Sequence, residues 1–368
     1  MAIESLAFNN FLFASIHATT QDHSSTSRRL LLAFQIQFAY SSAQKNEIWR
    51  NFLMILITGG AGFIGLHTAR ALLEKGHDVI LVDRQPLRVP DFLVPHMDTR
   101  VKAYEGDILN LPFLYEIIRE HRVESIIHAA VIIAAGDHFY EALKVNLQGT
   151  VDIMEAARIF GLRRVTYLSS IAVYLPLKDV PHLHENMDLP PLSSDPISMA
   201  KKAGEQICLL YENEYRLSCP IIRMPLVWGP LYRGERSPLA NMIKNVLSSK
   251  PSEFSHIYGK AKNVYLYVED AAKAIGLVHL TPSLKHRIYN VSDGGVHSLM
   301  DFAMEIRKLV PEATIQLGER EPDEDRKSMI EKDLPPMSIE RIKDELGFKP
   351  DYDLNRGVAA YMDWARHE

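Results

Sequence analysis

Four glycines between residues 59 and 65 form the most informative segment of the chain. The sequence Thr58-Gly-Gly-Ala-Gly-Phe-Ile-Gly65 directly follows an apolar run, Met54–Ile57, and precedes a helical pattern. In the order strand, glycine turn and helix, backbone N–H groups at the helix N-terminus can bind a pyrophosphate. Gly59 permits the tight turn, Gly62 lets the backbone approach the phosphates, and Gly65 allows close packing of the helix. The spacing predicts a dinucleotide-binding loop.

A carboxylate ends the next strand pattern. Residues Asp78–Asp83 are apolar between two aspartates, and Asp83 stands about 20 residues after the glycine loop, where it can bind a ribose 2′-hydroxyl. Because such a carboxylate repels a 2′-phosphate, Asp83 favours NAD over NADP. Arg84 is the opposing feature, since a guanidinium at this position can pair with that phosphate. The sequence predicts NAD as the cofactor, with NADP as the alternative.

Strand and helix patterns alternate from residue 54 to residue 223, which is typical of a parallel sheet covered by helices on both faces. Strands are predicted at 54–57, 78–83, 101–107, 123–130, 164–170 and 218–223, and helices at 66–75, 111–120, 140–160 and 198–214. This order predicts an α/β fold with a doubly wound, Rossmann-type parallel sheet. Its ligands are expected at the carboxyl ends of the strands.

Beyond residue 230 the alternation is less regular. Helices are predicted at 239–247, 268–280, 299–309, 339–346 and 354–366, and strands at 287–291 and 314–317. We expect residues 54–230 to form the cofactor-binding domain, with some later segments returning to it. Residues 231–368 are expected to form mainly a smaller C-terminal substrate lobe, with the active site between the lobes.

The first 53 residues differ from the rest of the chain. Ser24–Arg29 has the composition of a transit peptide, although Glu4, Asp22 and Glu47 dilute that signal. We expect residues 1–53 to be a leader, either a disordered start-site or gene-model extension or a targeting segment. An ordered N-terminal arm is the third interpretation.

The composition limits the class of protein. Of 368 residues, 47% are hydrophobic and 24% are charged, and the net charge of −5 gives no reason to expect a nucleic acid or membrane partner. No segment is apolar over the roughly 18 residues that a membrane span needs. The two cysteines, Cys208 and Cys219, lack metal-ligand spacing and favour a reducing compartment. We expect a cytoplasmic protein, with import into an organelle left open by residues 1–53.

Further motifs from Met54 onward resemble the extended short-chain dehydrogenase/reductases, and among them the NAD-dependent epimerase/dehydratase family. Besides the glycine loop these motifs are Gly106-Asp-Ile108, His128-Ala-Ala130, Asn146-Leu-Gln-Gly-Thr150, Ser169-Ser-Ile-Ala-Val-Tyr174, Tyr267-Val-Glu-Asp270, Tyr289-Asn-Val291 and Leu346-Gly-Phe-Lys-Pro350. The resemblance implies cofactor contacts from Gly59, Gly62, Phe63, Ile64, Gly65, Asp83, Arg84, Asp107, Ile108, Ala129, Ala130, Asn146, Lys201 and Pro225.

The resemblance also implies a reaction centre with a Ser or Thr and a Tyr-x-x-x-Lys helix, in which the phenol moves a proton while the nicotinamide moves a hydride. Ser170 falls on the serine position. Lys201 fits the lysine, because Glu205 follows at the family's four-residue offset. The residue four positions before Lys201 is Ile197, which cannot exchange a proton. The chain therefore departs from the family at its acid/base.

Three interpretations of this departure stay open. Another group supplies the proton, with Tyr174, Asp195 and His184 the nearest candidates; the reaction needs no phenol; or the protein binds NAD and does little chemistry. Tyr174 is also typical of a packing residue, and His184, like His182, of a surface loop. We predict no metal site, because these two histidines and Glu185 lack a distant partner motif.

The substrate positions of the family are altered too. Leu226 stands where its nucleotide-sugar enzymes place an asparagine, and Asn263 aligns with an arginine that holds a nucleotide diphosphate. The basic candidates to replace that charge, each alternatively a solvated surface residue, are Arg233, Arg236, Lys260, Lys262 and Arg320. We expect a sugar-like or nucleotide-sugar-like small molecule as the substrate.

The sequence thus predicts an NAD-dependent oxidoreductase or epimerase that transfers a hydride at a secondary alcohol of such a substrate. The alternative is a catalytically impaired NAD-binding protein with a regulatory or structural role, and Ile197 is the residue that separates the two. Pairing of two long helices between copies is common in the family, so the resemblance implies a homodimer.

Overall fold

A computed structural model of the chain describes residues 54–133, 138–177, 180–193, 195–232, 237–323 and 327–367. The predicted leader, 1–53, lies outside these residues. The chain from Met54 onward forms one compact unit. Among the described residues, no helix combines the length and the apolar character that crossing a membrane requires.

Eleven strands and ten α-helices occur in the described residues. The strands are β1 (Met54–Thr58), β2 (Asp78–Asp83), β3 (Val101–Glu105), β4 (Val123–His128), β5 (Arg164–Ser170), β6 (Ile221–Met224), β7 (Leu226–Trp228), β8 (Ser252–Tyr258), β9 (Tyr265–Tyr267), β10 (Ile288–Asn290) and β11 (Ile315–Gly318). The helices are α1 (Phe63–Glu74), α2 (Leu111–Glu120), α3 (Phe139–Leu143), α4 (Gly149–Phe160), α5 (Pro196–Tyr215), α6 (Pro238–Leu247), α7 (Val268–Leu280), α8 (Leu299–Leu309), α9 (Glu340–Leu346) and α10 (Leu354–His367).

The central sheet has seven parallel strands in the spatial order β10-β6-β5-β4-β1-β2-β3. The chain runs outward from β1 through β2 to β3, then crosses to β4 on the other side of β1 and continues through β5 and β6. This reversal confirms the predicted doubly wound sheet. A ligand crevice therefore lies at the carboxyl ends of β1 and β4, where the strand order reverses.

Alternate side chains of β1 enter two different hydrophobic clusters. Ile55 and Ile57 pack on the face covered by α1 and α7, whereas Leu56 packs on the face covered by α2, α4 and α5. All five residues of β1 are buried. Because both faces of the strand are covered, its continuous apolar sequence is explained by burial on two sides.

Several elements differ from the sequence prediction. The predicted helix 140–160 is divided into α3, a π-helical turn at Lys144–Gln148 and α4, and α1 begins three residues earlier than predicted. Strands β7, β8 and β9 were not predicted. β7 and β9 have three residues each, which is too short for a sequence period, and they pair with one another. β8 is only partly buried and pairs with β11.

The strand at Ile288–Asn290 lies beyond residue 230 and yet pairs with β6 in the central sheet. Other late elements, among them α6, α8 and α10, pack together around Phe302 and Trp228 in a separate hydrophobic cluster. A division of the fold at residue 230 stays a prediction.

Candidate active site

The glycine loop turns at the carboxyl end of β1. Gly59 has a φ of 68°, and a Cβ atom there would lie 2.8 Å from the backbone nitrogen of Ala130. A Cβ atom on Gly65 would lie 2.3 Å from the carbonyl oxygen of Gly59, so this glycine allows α1 to contact the turn itself. Both positions therefore require glycine.

The N-terminus of α1 follows this turn directly. Its N-cap residue is Gly62, which has no side chain to accept hydrogen bonds from the first N–H groups of the helix. Phe63 and Ile64, the first two residues of the helix, are partly exposed. The first turn of α1 therefore presents backbone donors and the positive end of the helix dipole to a ligand such as a phosphate.

Asp83 ends β2 beside the loop. One carboxylate oxygen accepts a hydrogen bond from the Ala61 N–H at 3.2 Å, and the other accepts one from the Gln85 N–H at 3.0 Å. Arg84 extends to α3, where its guanidinium forms an ion pair with Glu141 at 2.6 Å. Glu141 was not among the residues predicted from the sequence, because it lies 57 positions away.

Asp107 and Ile108 follow β3 and have different surroundings. Asp107 accepts a hydrogen bond from the Leu109 N–H at 2.9 Å and lines an open cleft of about 620 Å³ together with Lys144. The side chain of Ile108 is buried, and its Cδ1 atom would lie 2.5 Å from a Cβ atom on Gly149. The side chain of Ile108 thus packs against Gly149 at the start of α4, and its contact with a cofactor stays a prediction.

His128 connects the glycine loop to the helix behind it. Its Nδ1 lies 2.7 Å from the hydroxyl of Thr58, and its Nε2 lies 3.2 Å from the hydroxyl of Thr150. Burial, together with the charge of Lys201, lowers the pKa of His128 to about 3, so the ring is neutral at pH 7. Through these two hydrogen bonds His128 links β1 to α4 in the core.

Asn146 holds the segment that follows β4. Its amide donates a hydrogen bond to the carbonyl oxygen of Ile132 at 2.9 Å and accepts one from the Ile132 N–H at 2.8 Å. The nearby Ala129 and Ala130 are partly exposed opposite Gly59. Asn146 is 5% exposed, so the structure gives it a positioning role for this segment.

Ser170 lies at the end of β5. Its hydroxyl oxygen accepts a hydrogen bond from the Ala172 N–H at 3.2 Å, and the hydroxyl hydrogen can therefore be donated to a ligand. Lys201, on α5, is buried and donates from Nζ to the carbonyl oxygen of Leu168 at 2.6 Å. Its ammonium also lies 4.9 Å from the ring centre of Tyr167. Burial lowers the pKa of Lys201 to about 8.

Replacing Lys201 with methionine is expected to stabilise the cofactor-free protein. The pKa of Lys201 falls from 10.5 to about 8 on folding, so keeping it protonated at pH 7 costs about 3 kcal/mol. Between these two values the unfolded chain binds more protons, and this group's contribution to stability rises with pH. We expect Lys201→Met to raise the free energy of unfolding by about 1–3 kcal/mol at pH 7, and by less at pH 10, in urea denaturation.

The matched control is Lys202→Met. The Lys202 ammonium donates to the carbonyl oxygens of Pro190 at 2.7 Å and Leu192 at 3.0 Å. Burial lowers the pKa of Lys202 as well, which offsets part of these hydrogen bonds, so its loss is expected to change the free energy of unfolding by less than about 1 kcal/mol. A Lys201→Met protein that is less stable than the wild type at pH 7 would contradict the burial penalty assigned to Lys201.

A buried ion pair lies next to Lys201 along α5. Two nitrogens of Arg223 donate to the two carboxylate oxygens of Glu205, at 2.9 and 2.7 Å, and both residues are at most 2% exposed. Ser169 donates to the same carboxylate at 2.6 Å. Arg223 also donates to the hydroxyl of Tyr174 at 2.8 Å, and Tyr174 donates to Asn290 at 2.8 Å. This network joins α5 to β5, β6 and β10.

Three residues were candidates to replace the missing phenol, and each lies in a different environment. Tyr174 is 1% exposed, its hydroxyl both accepts and donates within the network, and burial raises its pKa, which argues against a proton-carrying role. Asp195 is the N-cap of α5 and accepts a hydrogen bond from the Ser198 N–H at 2.9 Å. His184 is exposed. Ile197 itself is partly buried in the first turn of α5, one turn before Lys201.

His184 is followed by Glu185, which is buried and accepts a hydrogen bond from the Asn290 N–H at 2.9 Å. Within the described part of the chain, no three His, Cys, Asp or Glu side chains converge as a metal site. Glu185 instead fastens its loop to the carboxyl end of β10.

Two residues at the predicted substrate positions, Lys262 and Asn263, have partners within the protein. Lys262 forms an ion pair with Asp301 at 2.6 Å. Asn263 is fully buried, and its amide donates to the carbonyl oxygens of Met329 at 2.8 Å and Lys332 at 3.2 Å. Asn263 therefore anchors the segment 327–337, so it cannot replace the arginine of the nucleotide-sugar enzymes.

The remaining candidates fall on the surface or outside the described residues. Lys260 and Arg320 are exposed, and Arg233 and Arg236 lie outside the described residues. Pro225 is buried between β6 and β7. Lys260 and Lys262 were the lysines predicted to bind the substrate. Neither has a contact in the structure that assigns it to a substrate site.

Two clefts are relevant to ligand binding. One, of about 520 Å³, lies over the glycine loop and is lined by Ala61, Gly62, Phe63, Leu66, Gln85, Pro86, Arg88, Leu231 and Tyr232. The other, of about 450 Å³, lies next to the turn after Ser170 and is lined by Leu175, Pro176, Leu177, Val180, Pro181, Lys327, Lys332, Asp333, Leu334, Pro335 and Pro336. Lys327 and Lys332 were not among the residues predicted from the sequence.

The doubly wound sheet, the uncapped glycine loop and the carboxylate at the end of β2 define a Rossmann-type dinucleotide-binding protein of the extended short-chain dehydrogenase/reductase class. A family model described as the NAD dependent epimerase/dehydratase family matches residues 55–292, and the chain belongs to that family.

Individual relatives agree with this assignment. The chain is 26% identical over 336 residues to a UDP-glucose 4-epimerase of Lacticaseibacillus casei, covering 85% of this chain and 96% of the relative. It is 29% identical over 322 residues to a putative UDP-glucose 4-epimerase of Methanocaldococcus jannaschii, covering 85% and 99%. The crystal structure of Thermus thermophilus UDP-glucose 4-epimerase in complex with NAD has a similar fold, with a TM-score of 0.71, 24% identity and coverage of 84% and 98%.

Proposed function

We propose that this protein binds NAD at the carboxyl edge of the central sheet and catalyses hydride transfer at a secondary alcohol of a nucleotide sugar. One observation carries this proposal: the uncapped N-terminus of α1, the Asp83 carboxylate and the ammonium of Lys201 all lie at or near that edge. They supply donors for a pyrophosphate, an acceptor for ribose hydroxyls and a cation for a second ribose.

The residues present fit NAD as the resident cofactor. The first N–H groups of α1 would hold the pyrophosphate, and Asp83 already lies at the turn through its hydrogen bond from Ala61. Lys201, with a pKa of about 8, is able to hold a proton or give one up near neutral pH. Bound NAD supplies the hydride acceptor, which no protein side chain can provide.

For the substrate we propose the 450 Å³ cleft beside the turn that follows Ser170. Leucines and prolines supply apolar walls for a sugar or base, and Lys332 lines the cleft with a cationic side chain for a diphosphate. The relatives named as UDP-glucose 4-epimerases support a nucleoside diphosphate sugar as the class of substrate.

A second candidate function is cofactor binding without turnover, as a regulatory or structural protein. Ile197 and the buried, hydrogen-bonded hydroxyl of Tyr174 favour it, since neither provides an open acid or base beside Ser170. Pairing of copies through helices of this domain stays a prediction of the resemblance.

Calorimetric titration with NAD and NADP tests the cofactor assignment. We expect NAD to bind at least about 10-fold more tightly, because the Asp83 carboxylate accepts hydrogen bonds from ribose hydroxyls and repels a 2′-phosphate. Asp83→Asn is expected to reduce this preference, and the matched control Asp98→Asn, in a loop before β3, is expected to leave it unchanged. Equal binding of the two cofactors by the wild type would contradict the assignment.

A dehydrogenase screen separates the two functions. NADH absorbance would be followed with a panel of free sugars and UDP- and dTDP-linked sugars at pH 7 and pH 9. We expect slow turnover with at least one nucleotide sugar, because Ile197 cannot exchange a proton at the position of the family's phenol. Tight NAD binding with no turnover on any substrate would support the non-catalytic function.

A further inference from the structure

The ion pair between Arg84 and Glu141 joins two segments that follow strands of the central sheet. Arg84 follows β2, and Glu141 belongs to α3, which follows β4 in the chain. In the sheet β1 lies directly between β4 and β2. The pair therefore connects segments that follow the two strands on either side of the strand that carries the glycine loop.

The neighbouring charges hold Arg84 in this place. Its Nη1 lies 2.6 Å from one Glu141 oxygen, and the carboxylates of Asp107 and Asp83 also act on its guanidinium. The other oxygen of Glu141 lies 3.8 Å from Nδ1 of His138. These groups are the titratable residues that face Arg84 from β2, from the segment after β3 and from α3.

NADP differs from NAD by a phosphate on the adenosine ribose, the sugar that Asp83 is proposed to bind. A protein that accepts this phosphate needs a cation close to the ribose 2′-position. Arg84 is next to Asp83 in the chain, but its guanidinium already forms a charge-assisted hydrogen bond with Glu141. A 2′-phosphate would have to break that bond and would then lie near the Glu141 carboxylate.

We propose that Glu141 is a determinant of cofactor specificity, which excludes NADP by holding Arg84 in an ion pair and by adding a second carboxylate beside Asp83. This inference rests on the proposed NAD-binding function. It assigns a role to a residue outside the glycine loop and the strand end. It also explains how a chain with an arginine after the β2 aspartate can keep a preference for NAD.

Glu141→Gln tests the proposal in the full chain. Glutamine keeps the shape of the side chain and removes its charge, so Arg84 becomes available to a 2′-phosphate. We expect the dissociation constant for NADP to fall by roughly 2- to 5-fold and that for NAD to stay within experimental error of the wild type, in calorimetric titrations at 0.05 M NaCl. Glu155→Gln is the matched control, because it removes another exposed Arg–Glu pair, with Arg158 at 2.5 Å, from α4.

Two further variants test whether the effect of Glu141→Gln on NADP binding depends on Arg84. Arg84→Ala alone is expected to leave NADP affinity within about 2-fold of the wild type, because Glu141 already occupies the guanidinium. The double variant Arg84→Ala with Glu141→Gln is expected to lose most of the gain of Glu141→Gln. A gain that persists in full in the double variant overturns the part of the proposal that rests on Arg84.

Failure of this inference can be told apart from failure of the proposed function. If the wild type binds neither NAD nor NADP, the proposed function itself is wrong. If the wild type prefers NAD and Glu141→Gln, with an unchanged melting temperature, binds NADP no better, the role assigned to Glu141 is wrong while the cofactor assignment stands.

Discussion

Replacing Ile197 with tyrosine is expected to raise the turnover of a bound secondary alcohol by about 10²- to 10⁴-fold, which is the usual contribution of a positioned acid/base. Ile197 lies on α5 four residues before Lys201, so the two side chains share one face of the helix. The positive charge of Lys201 is expected to lower the pKa of the new phenol. Initial rates of NADH formation, at saturating NAD, measure the effect.

Ile197→Phe is the matched control for this substitution. It places an aromatic ring at the same position without the hydroxyl, so it reproduces the change in packing but not the acid/base. We expect its rate to stay within a few fold of the wild type. Fast wild-type turnover that Ile197→Tyr abolishes would show that the apolar side chain belongs to a different mechanism.

Replacing Arg223 with methionine is expected to lower the free energy of unfolding by about 3–5 kcal/mol, because the Glu205 carboxylate would lose its buried partner. Glu205 is 1% exposed and accepts two hydrogen bonds from Arg223. The substitution also removes a donor to the hydroxyl of Tyr174. Urea denaturation measured by far-ultraviolet circular dichroism gives the free energy of unfolding.

Two comparisons make this prediction specific. Arg158→Met removes an exposed pair on α4 and is expected to leave the midpoint of urea denaturation nearly unchanged. The double variant Glu205→Met with Arg223→Met removes both charges and is expected to recover much of the loss. A loss below about 1 kcal/mol in Arg223→Met would contradict the cost assigned to leaving the Glu205 carboxylate buried without its partner.

The glycine loop and the central sheet show what short sequence patterns can predict. Gly59 and Gly65 are required by a left-handed turn and a close backbone contact within seven residues, and both requirements are visible in the local sequence. The strands β1 and β2, which are buried over almost their whole length, have nearly continuous apolar sequences. The existence of these strands and the doubly wound sheet could therefore be predicted, whereas β7, β8 and β9 could not.

The environment of Tyr174 shows where sequence reasoning stops. The sequence allows both a proton carrier and a packing residue at this position. The choice depends on Arg223 and Asn290, which lie 49 and 116 residues away and reach its hydroxyl only in the folded sheet. Asn263 is similar, because its burial is decided by carbonyl groups of residues 329 and 332.

The sequence by itself determined the fold class, the dinucleotide loop, the carboxylate after the second strand and the absence of the usual phenol at Ile197. Each of these depends on residue type and on spacing over a few residues, or on the order of local elements. The tertiary structure alone decided that Arg84 is paired with Glu141, that Lys262 is paired with Asp301, and that Lys332 lines a cleft. The strength of an ion pair depends on the distance between its charged groups in the folded protein. These groups are far apart in the sequence, and no sequence pattern indicates that they meet.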